Sequence, residues 1–386
     1  IRVHWWMRLK CWDMMQSKCK WVRLGDYIEQ CDERNTLLQY KLDDVMGMTI
    51  AKDIIPTKAN LKGNDLSKFK IVYPDEFVYN PRTHGKKIGL GINVTSKPFL
   101  ISWNNIAFRI INKELLPLYL YLFICREEWD RLACFNSWGS STEVFAWDEF
   151  CRMAIPLPSL AEQQNVVNAW KALREIKEQN EAIAAPLMQV CQSYIQELKH
   201  GQTLYKRIGD YIKIFDKTNK DGKNYPVYGL NKDKTFMPTV ANTENVNLNK
   251  YKIVEKGLFA YSGMQTGRDV CIRIAYYDMD SPALISPAYS TFIIEEQKGI
   301  LSEYFMLLFK HSEMDRLGWF YSDSSVRSNL DWSRFVDIQI PLPPLSVQQA
   351  IVNIYNCANE AKRIAAEADR MSRKVCPALI QHVIHY

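Results

Sequence analysis

The chain has 386 residues, of which 47 % are hydrophobic and 24 % are charged. This length is sufficient for two domains with separate cores, and the composition is typical of a globular protein. The net charge is +6, but residues 1–20 contribute +4 of it through five basic side chains and one acidic one. The charge of the remainder is nearly balanced, so bulk charge does not identify a nucleic-acid-binding protein.

Two further classes are disfavoured by the sequence. The apolar stretches are too short and too interrupted to cross a bilayer, and the chain does not open with a recognisable signal peptide, so we expect a cytoplasmic protein. The ten cysteines are irregularly spaced, without a CxxC pair. We therefore expect reduced thiols and neither a disulfide framework nor a zinc site.

An internal repeat is the most informative feature. Residues 155–168, IPLPSLAEQQNVVN, return 185 positions later as residues 340–353, IPLPPLSVQQAIVN. Residues 23–28, RLGDYI, likewise return as residues 207–212, RIGDYI. A period this long far exceeds the roughly 20 to 50 residues of solenoid repeats, so the chain is predicted to contain two similar, domain-sized units.

Each unit begins with a region of mixed secondary structure. β-branched and aromatic runs between turn residues predict strands at residues 70–73, 76–79, 88–94, 99–103 and 106–111, and in the second unit at 259–261, 270–277 and 291–295. A single helix is predicted over residues 118–132, where apolar residues have a 3.6-residue spacing. Its ending Asp130-Arg131-Leu132 recurs as Asp315-Arg316-Leu317.

A long helix is predicted after each Pro-Leu-Pro segment, because the prolines keep the preceding chain extended. Ser159 with Glu162 and Ser346 with Gln349 both fit a capping box, but they differ by two positions in the alignment, so at least one is not the cap. Heptad-like spacing predicts that the two helices pack through a narrow seam. Its residues are Ile176, Ile183, Leu187, Val190 and Tyr194 in the first helix and Ile364, Ala368, Met371, Val375 and Ala378 in the second.

Catalytic motifs are missing from the sequence. It contains no phosphate-binding P-loop, no dinucleotide-binding GxGxxG after a strand, no HExxH and no GxSxG. Asn80-Pro81-Arg82 lacks the second proline and the aromatic residue of the amino-methyltransferase motif. We expect a non-enzymatic chain without catalytic residues, cofactor or metal.

The repeated Pro-Leu-Pro-x-Leu-x-x-Gln-Gln segment stands twice before a long helix and after a mixed domain that opens with Leu/Ile-Gly-Asp. This arrangement resembles the specificity subunit of type I restriction-modification systems, from Trp21 to the C-terminus. The second copy departs from the family pattern, because Val347 replaces the acidic residue that the first copy has at Glu162.

The resemblance implies an α+β fold, in which two similar mixed α/β target recognition domains are separated by two long antiparallel helices that form a coiled coil with internal pseudo-two-fold symmetry. The expected partition is an N-terminal extension (1–20), a first recognition domain (21–157), a central spacer helix (158–201), a second recognition domain (202–342) and a C-terminal spacer helix (343–386). A helix of about 40 residues spans roughly 60 Å. The implied partners are double-stranded DNA, two methyltransferase subunits and restriction subunits, with no membrane partner.

Loops that differ between the two copies are the predicted DNA-contacting positions. Arginine and lysine suit guanine edges or phosphates, and glutamine suits adenine. The candidates are Arg82, His84, Lys86, Lys87, Ser140 and Thr142 in the first unit and Gln265, Arg268, Asp269, Ser325 and Arg327 in the second. Trp147 and Trp332, at matching positions, are expected in the core.

Two other interpretations stay open. The chain could be a non-catalytic two-domain scaffold or binding protein unrelated to DNA modification, which would not associate with a methyltransferase. A fused endonuclease is disfavoured because the motifs that it would need are missing.

Overall fold

The computed structural model describes residues 19–84, 87–139, 143–200, 204–242, 246–264, 266–323 and 325–385. It divides into two compact units, which we call unit 1 (Ile1–Gln179 with Ile364–Tyr386) and unit 2 (Asn180–Arg363). Each unit contains part of both long helices.

Among its described residues each unit has ten strands. Those of unit 1 are β1 (Lys20–Arg23), β2 (Ile28–Cys31), β3 (Met46–Met48), β4 (Ile54–Pro56), β5 (Lys70–Val72), β6 (Phe77–His84), β7 (Lys87–Ile92), β8 (Phe99–Ile101), β9 (Ile106–Ile110) and β10 (Ala154–Leu157). Those of unit 2 are β11 (Tyr205–Arg207), β12 (Ile212–Ile214), β13 (Val227–Leu230), β14 (Phe236–Pro238), β15 (Lys252–Val254), β16 (Phe259–Ser262), β17 (Arg273–Tyr276), β18 (Ala283–Ile285), β19 (Ser290–Ile294) and β20 (Gln339–Pro341).

The helices follow a similar order in both units. Unit 1 has α1 (Pro117–Ile124), α2 (Glu127–Phe135) and α3 (Trp147–Arg152), followed by the long α4 (Leu160–His200). Unit 2 has α5 (Thr266–Asp269), α6 (Ser302–Phe309), α7 (Ser312–Tyr321) and α8 (Trp332–Asp337), followed by the long α9 (Leu345–His385).

The strands pair in the same way in the two units. A four-stranded antiparallel sheet has the order β2-β9-β6-β7 in unit 1 and β12-β19-β16-β17 in unit 2. The first and last strands pair as β1 with β10 and as β11 with β20. Unit 2 has a second sheet in the order β14-β13-β18-β15, and unit 1 has the corresponding pairs β3-β4 and β5-β8, linked by a parallel bridge between Val45 and Leu100. The predicted duplication of one mixed α/β fold is confirmed.

The predicted single helix over residues 118–132 is wrong. The chain forms α1 and α2 instead, because Arg126 adopts an extended conformation (φ −73°, ψ 148°) and interrupts the helix. Since α1 is buried on nearly all sides, the chain must turn before α2 can bring Trp129 and Ala133 to the core. The strand predicted at 270–277 starts later, at Arg273, because the short helix α5 and Val270, with its left-handed φ of 50°, precede it.

Aromatic side chains fill the core of each unit. In unit 1 the Phe77 and Phe108 rings stack with centroids 4.8 Å apart, and in unit 2 the Phe259 and Phe292 rings stack at 5.2 Å. Trp147 stacks on Phe150 at the edge of the unit 1 core, and Trp332 packs against the unit 2 core in the equivalent position. Both tryptophans are partly buried.

The first glutamine of each Gln-Gln pair connects the helix to the domain before it. Gln163 is fully buried; its Oε1 accepts a hydrogen bond from the Leu116 N–H (2.9 Å), and its Nε2 donates to the carbonyls of Glu114 (2.8 Å) and Pro158 (3.0 Å). Gln348 is equally buried and makes the same three bonds. Its partners are Leu301 N–H, Gly299 C=O and Pro343 C=O. The Gln-Gln motif is therefore repeated because both units contain the same buried hydrogen bonds.

The capping boxes differ between the copies. The Ser159 Oγ and N–H both donate to Glu162 Oε2, at 2.6 and 2.9 Å, and α4 begins directly afterwards at Leu160. Ser346, in contrast, lies inside α9. The N–H groups of Val347 and Gln348 there donate to the Pro344 carbonyl and not to the Ser346 side chain. Only Ser159 is a cap.

The long helices run in opposite directions where they pair. In unit 1 Lys177 of α4 forms an ion pair with Asp369 of α9 (Nζ to Oδ1, 2.8 Å), and in unit 2 the Cys191 Sγ lies 3.8 Å from the Ile351 carbonyl. The buried α4 residues in unit 2 are Ala184, Cys191, Ile195 and Leu198.

The predicted seam is one position out of register on α4. Ile176, Ile183, Val190 and Tyr194 are exposed by 41, 52, 49 and 38 %, and Leu187 is half-buried. The error has a simple cause: apolar residues occupy adjacent positions, such as 183 with 184 and 190 with 191, and both sets have heptad spacing. Packing buries the smaller side chains. On α9 Ala368 is buried, Ile364, Met371 and Val375 are half-buried, and Ala378 is exposed.

Candidate nucleic-acid interface

A β-bulge presents Arg82 at the edge of the unit 1 sheet. The register of β6 on β7 shifts between Tyr79 and Thr83, so that additional β6 residues stand opposite the partner strand. Pro81 fits this position because it has no N–H to donate, and the Asn80 Oδ1 accepts the Arg82 N–H at 3.0 Å. Bulges commonly redirect a side chain. Here the exposed residue is Arg82.

Three exposed residues lie side by side along this edge. Val144 forms antiparallel bridges with Arg82 on one side and with Trp138 on the other, and the Phe145 N–H donates to the Pro81 carbonyl at 2.7 Å. Trp138 is 74 % exposed and Val144 is 37 % exposed. We call Arg82, Val144 and Trp138 the unit 1 strip. It places Arg82 and Trp138 on either side of Val144 at one edge of the unit.

The equivalent edge of unit 2 has a different construction. The chain does not form a hairpin there; the one-turn helix α5 connects β16 to β17. A hydrogen bond from the Gly267 N–H to the Ser328 carbonyl (2.8 Å) fixes the position of α5. A Cβ on Gly267 would lie 2.5 Å from the Ser328 Cβ, so the close approach needs glycine. Arg268 is exposed on α5.

Asp269 is engaged by cations within unit 2. Its carboxylate bonds to Arg273 and lies 3.5 Å from the Lys232 Nζ. Burial acts to raise the pKa of Asp269, but the hydrogen bond and charge of Arg273, with the charge of Lys232, outweigh it and hold the pKa below its usual value. The carboxylate thus stays ionised and positions these two cations.

A second unit 2 loop projects Arg327. The Asp323 N–H donates to the Asn329 carbonyl (2.8 Å), and Asp323 Oδ1 accepts from the Ser325 Oγ (2.5 Å) and the Asn329 N–H (2.9 Å). Hydrogen bonds from Ser325 and Asn329 lower the pKa of Asp323, so this loop closure persists at neutral pH. Val326 and Arg327 are exposed at the tip, and Val326 is 100 % exposed.

The other predicted DNA-contacting residues divide into three groups. Lys87 is exposed at the start of β7, and Ser325 is exposed but bonded to Asp323. For His84 the structure describes the backbone, which pairs with Lys87, but not the side chain. Lys86, Ser140, Thr142 and Gln265 lie outside the described residues.

The exposed aromatic residues near these loops were not among the predicted DNA-contacting positions. Besides Trp138 they include Phe320 and Trp319 at the end of α7, which are 74 and 57 % exposed. Their signal was available in the sequence: they follow the repeated Asp-Arg-Leu segment, at positions where the two copies differ. Exposed aromatic rings can pack against bases or sugars, and neighbouring arginines can bind phosphates.

The described residues lack a membrane-spanning helix and a metal-binding cluster. None of their helices combines the length and apolar character needed to cross a membrane. Nor do they contain a group of three or more histidine, cysteine or acidic side chains arranged to hold a metal ion.

Comparison with known proteins agrees with this architecture. Residues 205–356, from β11 into α9, match the family model described as the type I restriction modification DNA specificity domain. Residues 205–356 are thus similar to a type I DNA specificity domain. The family resemblance seen in the sequence is thereby confirmed, and the internal repeat gives unit 1 the same strand order as this specificity domain.

The solved structure of one S subunit shows the same fold. The S subunit of the type I restriction-modification system from M. genitalium aligns with a TM-score of 0.60 at 13 % identity, over 95 % of this chain and 96 % of that one. The HsdS subunit from Thermoanaerobacter tengcongensis aligns over 95 % of this chain and 96 % of that one, with a TM-score of 0.41 and 18 % identity. No curated protein sequence matches this chain.

Proposed function

We propose that this chain is the non-catalytic specificity subunit of a type I restriction-modification complex, in which each unit reads one half of a bipartite duplex target. One observation carries the proposal: the same ten-strand frame occurs twice, and its exposed edges differ in the residues suited to contact DNA. The solved subunit from M. genitalium, which is named as an S subunit, supports it through its fold.

Duplication suits duplex DNA, because two similar domains can each meet a groove of the pseudo-symmetric double helix. Different loops on those domains give a target with two unlike halves. In unit 1 the strip offers an arginine, Arg82, that suits a phosphate or a guanine edge, and an aromatic ring, Trp138, on the other side of Val144. In unit 2, Arg268, Phe320 and Arg327 provide the same residue types from α5, α7 and a loop.

The exposed apolar residues of α4 support docking of the methyltransferase subunits. Ile183 and Val190 are seven residues apart on one helical face, are about half exposed, and are followed by Tyr194. Exposed apolar positions repeated at heptad spacing are typical of surfaces that bind a partner helix. We propose that methyltransferase subunits bind the helices, that restriction subunits join the assembled complex, and that the helices act as spacers.

Copurification and methylation mapping test this proposal. The full chain, produced with the methyltransferase encoded in its host, should form a complex and direct methylation to a motif with two defined halves and an unspecified gap. Val190→Glu should abolish the complex, whereas Gln192→Glu, an exposed position on another face of α4, should preserve it. A chain that folds but neither binds a methyltransferase nor directs methylation is instead a scaffold unrelated to DNA modification.

A further inference from the structure

Each unit contains a lysine that is buried at the turn of a hairpin. Lys52, between β3 and β4, is 3 % exposed, and Lys234, between β13 and β14, is 5 % exposed. Both adopt the left-handed backbone conformation, with φ of 71° and 61°. Left-handed conformations are unfavourable for residues other than glycine, and burial of an ammonium is costly, so two equivalent lysines of this kind indicate a shared constraint.

Both lysines reach an aspartate in equivalent helices, α2 of unit 1 and α7 of unit 2. The Lys52 Nζ lies 2.5 Å from Asp130 Oδ1 in α2, and the Lys234 Nζ lies 2.7 Å from both carboxylate oxygens of Asp315 in α7. These aspartates belong to the repeated Asp-Arg-Leu segment, and the ion pair accounts for an aspartate at that position in both copies.

In each unit the lysine–aspartate pair also binds the strand that follows the variable loop. The variable loop is the β6–β7 turn in unit 1 and the α5 segment in unit 2. In unit 1 the Asp130 Oδ1 accepts the Ile88 N–H (3.4 Å), and the Lys52 Nζ donates to the Ile88 carbonyl (3.1 Å). In unit 2 the Asp315 Oδ1 accepts the Ile272 N–H (2.9 Å). Ile88 follows Lys87 at the end of the β6–β7 turn, and Ile272 follows the α5 segment that bears Arg268.

We infer that Lys52 with Asp130, and Lys234 with Asp315, are positioning pairs that fix each variable loop against its domain and so set its half-site discrimination. This inference rests on the proposed function. The pairs lie where two unlike loops join one frame, which allows loop sequences to change while their attachment stays constant. A buried ion pair is weak evidence for added stability, so attachment is the better account of its presence in both units.

The test uses the full chain in its methyltransferase complex and two double variants of each pair. Lys52→Met/Asp130→Leu removes both charges and the acceptor for the Ile88 N–H. Lys52→Met/Asp130→Asn removes the charges but keeps a carbonyl acceptor at that position. Lys234→Met/Asp315→Leu and Lys234→Met/Asp315→Asn do the same in unit 2. Lys70→Met is the matched control, because Lys70 is a buried lysine of unit 1 that pairs with Asp32, remote from the loop.

The measurement is competition between the methylated target and duplexes altered in one half. Each leucine double variant should lower discrimination at one half-site by about tenfold, which is the factor carried by roughly one mismatched base pair, and leave the other half-site unchanged. The two units should affect opposite halves. The asparagine double variants should recover much of the discrimination, and Lys70→Met should retain all of it.

Four results would overturn the inference: unchanged discrimination in a folded leucine variant, equal loss at both half-sites, equal behaviour of the asparagine and leucine variants, or the same loss in Lys70→Met. If a leucine variant does not fold, the asparagine variant decides, because it must keep the half-site preference. A wild-type complex without a bipartite target would refute the proposed function itself, and this inference with it. A bipartite target with unaffected variants would refute the positioning role alone.

Discussion

The β6–β7 and β16–β17 regions occupy the same place in the strand order, yet they differ in construction. In unit 1 an eight-residue strand continues into a hairpin, whereas in unit 2 a four-residue strand gives way to the helix α5. Behind both regions the buried contacts are the same: the Tyr79 hydroxyl donates to the Phe145 carbonyl, and the Tyr261 hydroxyl donates to the Leu330 carbonyl. The strands and buried contacts that both units share, which we call the frame, are thus the same in the two units, whereas the exposed edge differs.

The glycine in each Gly-Asp motif belongs to this constant frame. A Cβ on Gly25 would lie 2.9 Å from the Cys151 Cβ, and one on Gly209 would lie 3.2 Å from the Val336 Cβ. Both glycines allow the chain at the start of the domain to pass close to the last short helix, α3 or α8. The motif therefore reflects packing and carries no information about the target.

The largest expected effect tests whether the frame is equivalent in both units. Gln163→Leu leaves the Leu116 N–H and two carbonyls without their buried partner, so the free energy of unfolding should fall by about 3 kcal/mol. Gln348→Leu should cost a similar amount. Gln164→Leu, at an exposed site bonded to Asn168, should change stability by less than about 0.5 kcal/mol. Urea denaturation measures all three, and a mild effect of Gln348→Leu alone would break the equivalence.

Arginine substitutions test the variable edges. Arg82→Ala and Arg327→Ala should each weaken binding of the target duplex by about 1 to 3 kcal/mol, without changing the free energy of unfolding. Arg363→Ala, which removes an exposed arginine that pairs with Glu360 on α9, is the control and should have little effect. Fluorescence titration with labelled duplex gives the three affinities. If the control weakened binding as much as the loop variants, general charge and not loop position would govern affinity.

A smaller effect should distinguish the two helix starts. Ser159→Ala removes the N-cap of α4 and should cost about 1 kcal/mol, whereas Ser346→Ala, inside α9, should cost much less. Thermal unfolding of the two variants provides the comparison. Equal losses would show that the second serine has a role that its position inside the helix does not predict.

The smallest expected effect is a pH dependence confined to the first copy. Hydrogen bonds from the Ser159 side chain and N–H lower the pKa of Glu162. Because the folded pKa lies below the unfolded value of about 4.3, the contribution is present above that pH and is lost as pH falls through the folded pKa. The hydrogen-exchange protection factors of amides in the first turn of α4 should therefore fall below about pH 4. The first turn of α9, with Val347 at the equivalent position, should not respond in this way.

The sequence predicts the frame better than the edges, for physical reasons. Repeated Gly-Asp and Gln-Gln motifs mark buried contacts that a second copy must repeat, so the duplication was readable from residue identity alone. The helix seam could not be predicted from the sequence, because the neighbouring pairs Ile183 with Ala184 and Val190 with Cys191 give α4 two apolar faces. In the structure the smaller side chain of each pair is the buried one. The exposed tryptophan and phenylalanine were also missed, since an aromatic residue in a sequence suggests a core until its exposure is seen.

The central claim is that each unit independently reads one half of a DNA target. Its most direct test is exchange of residues 22–154 for the equivalent domain of a relative, followed by methylation mapping in a host that carries the matching methyltransferase. One half of the methylated motif should change, and the other half should stay as in the wild type. A change in both halves, or in neither with full activity, would contradict the account.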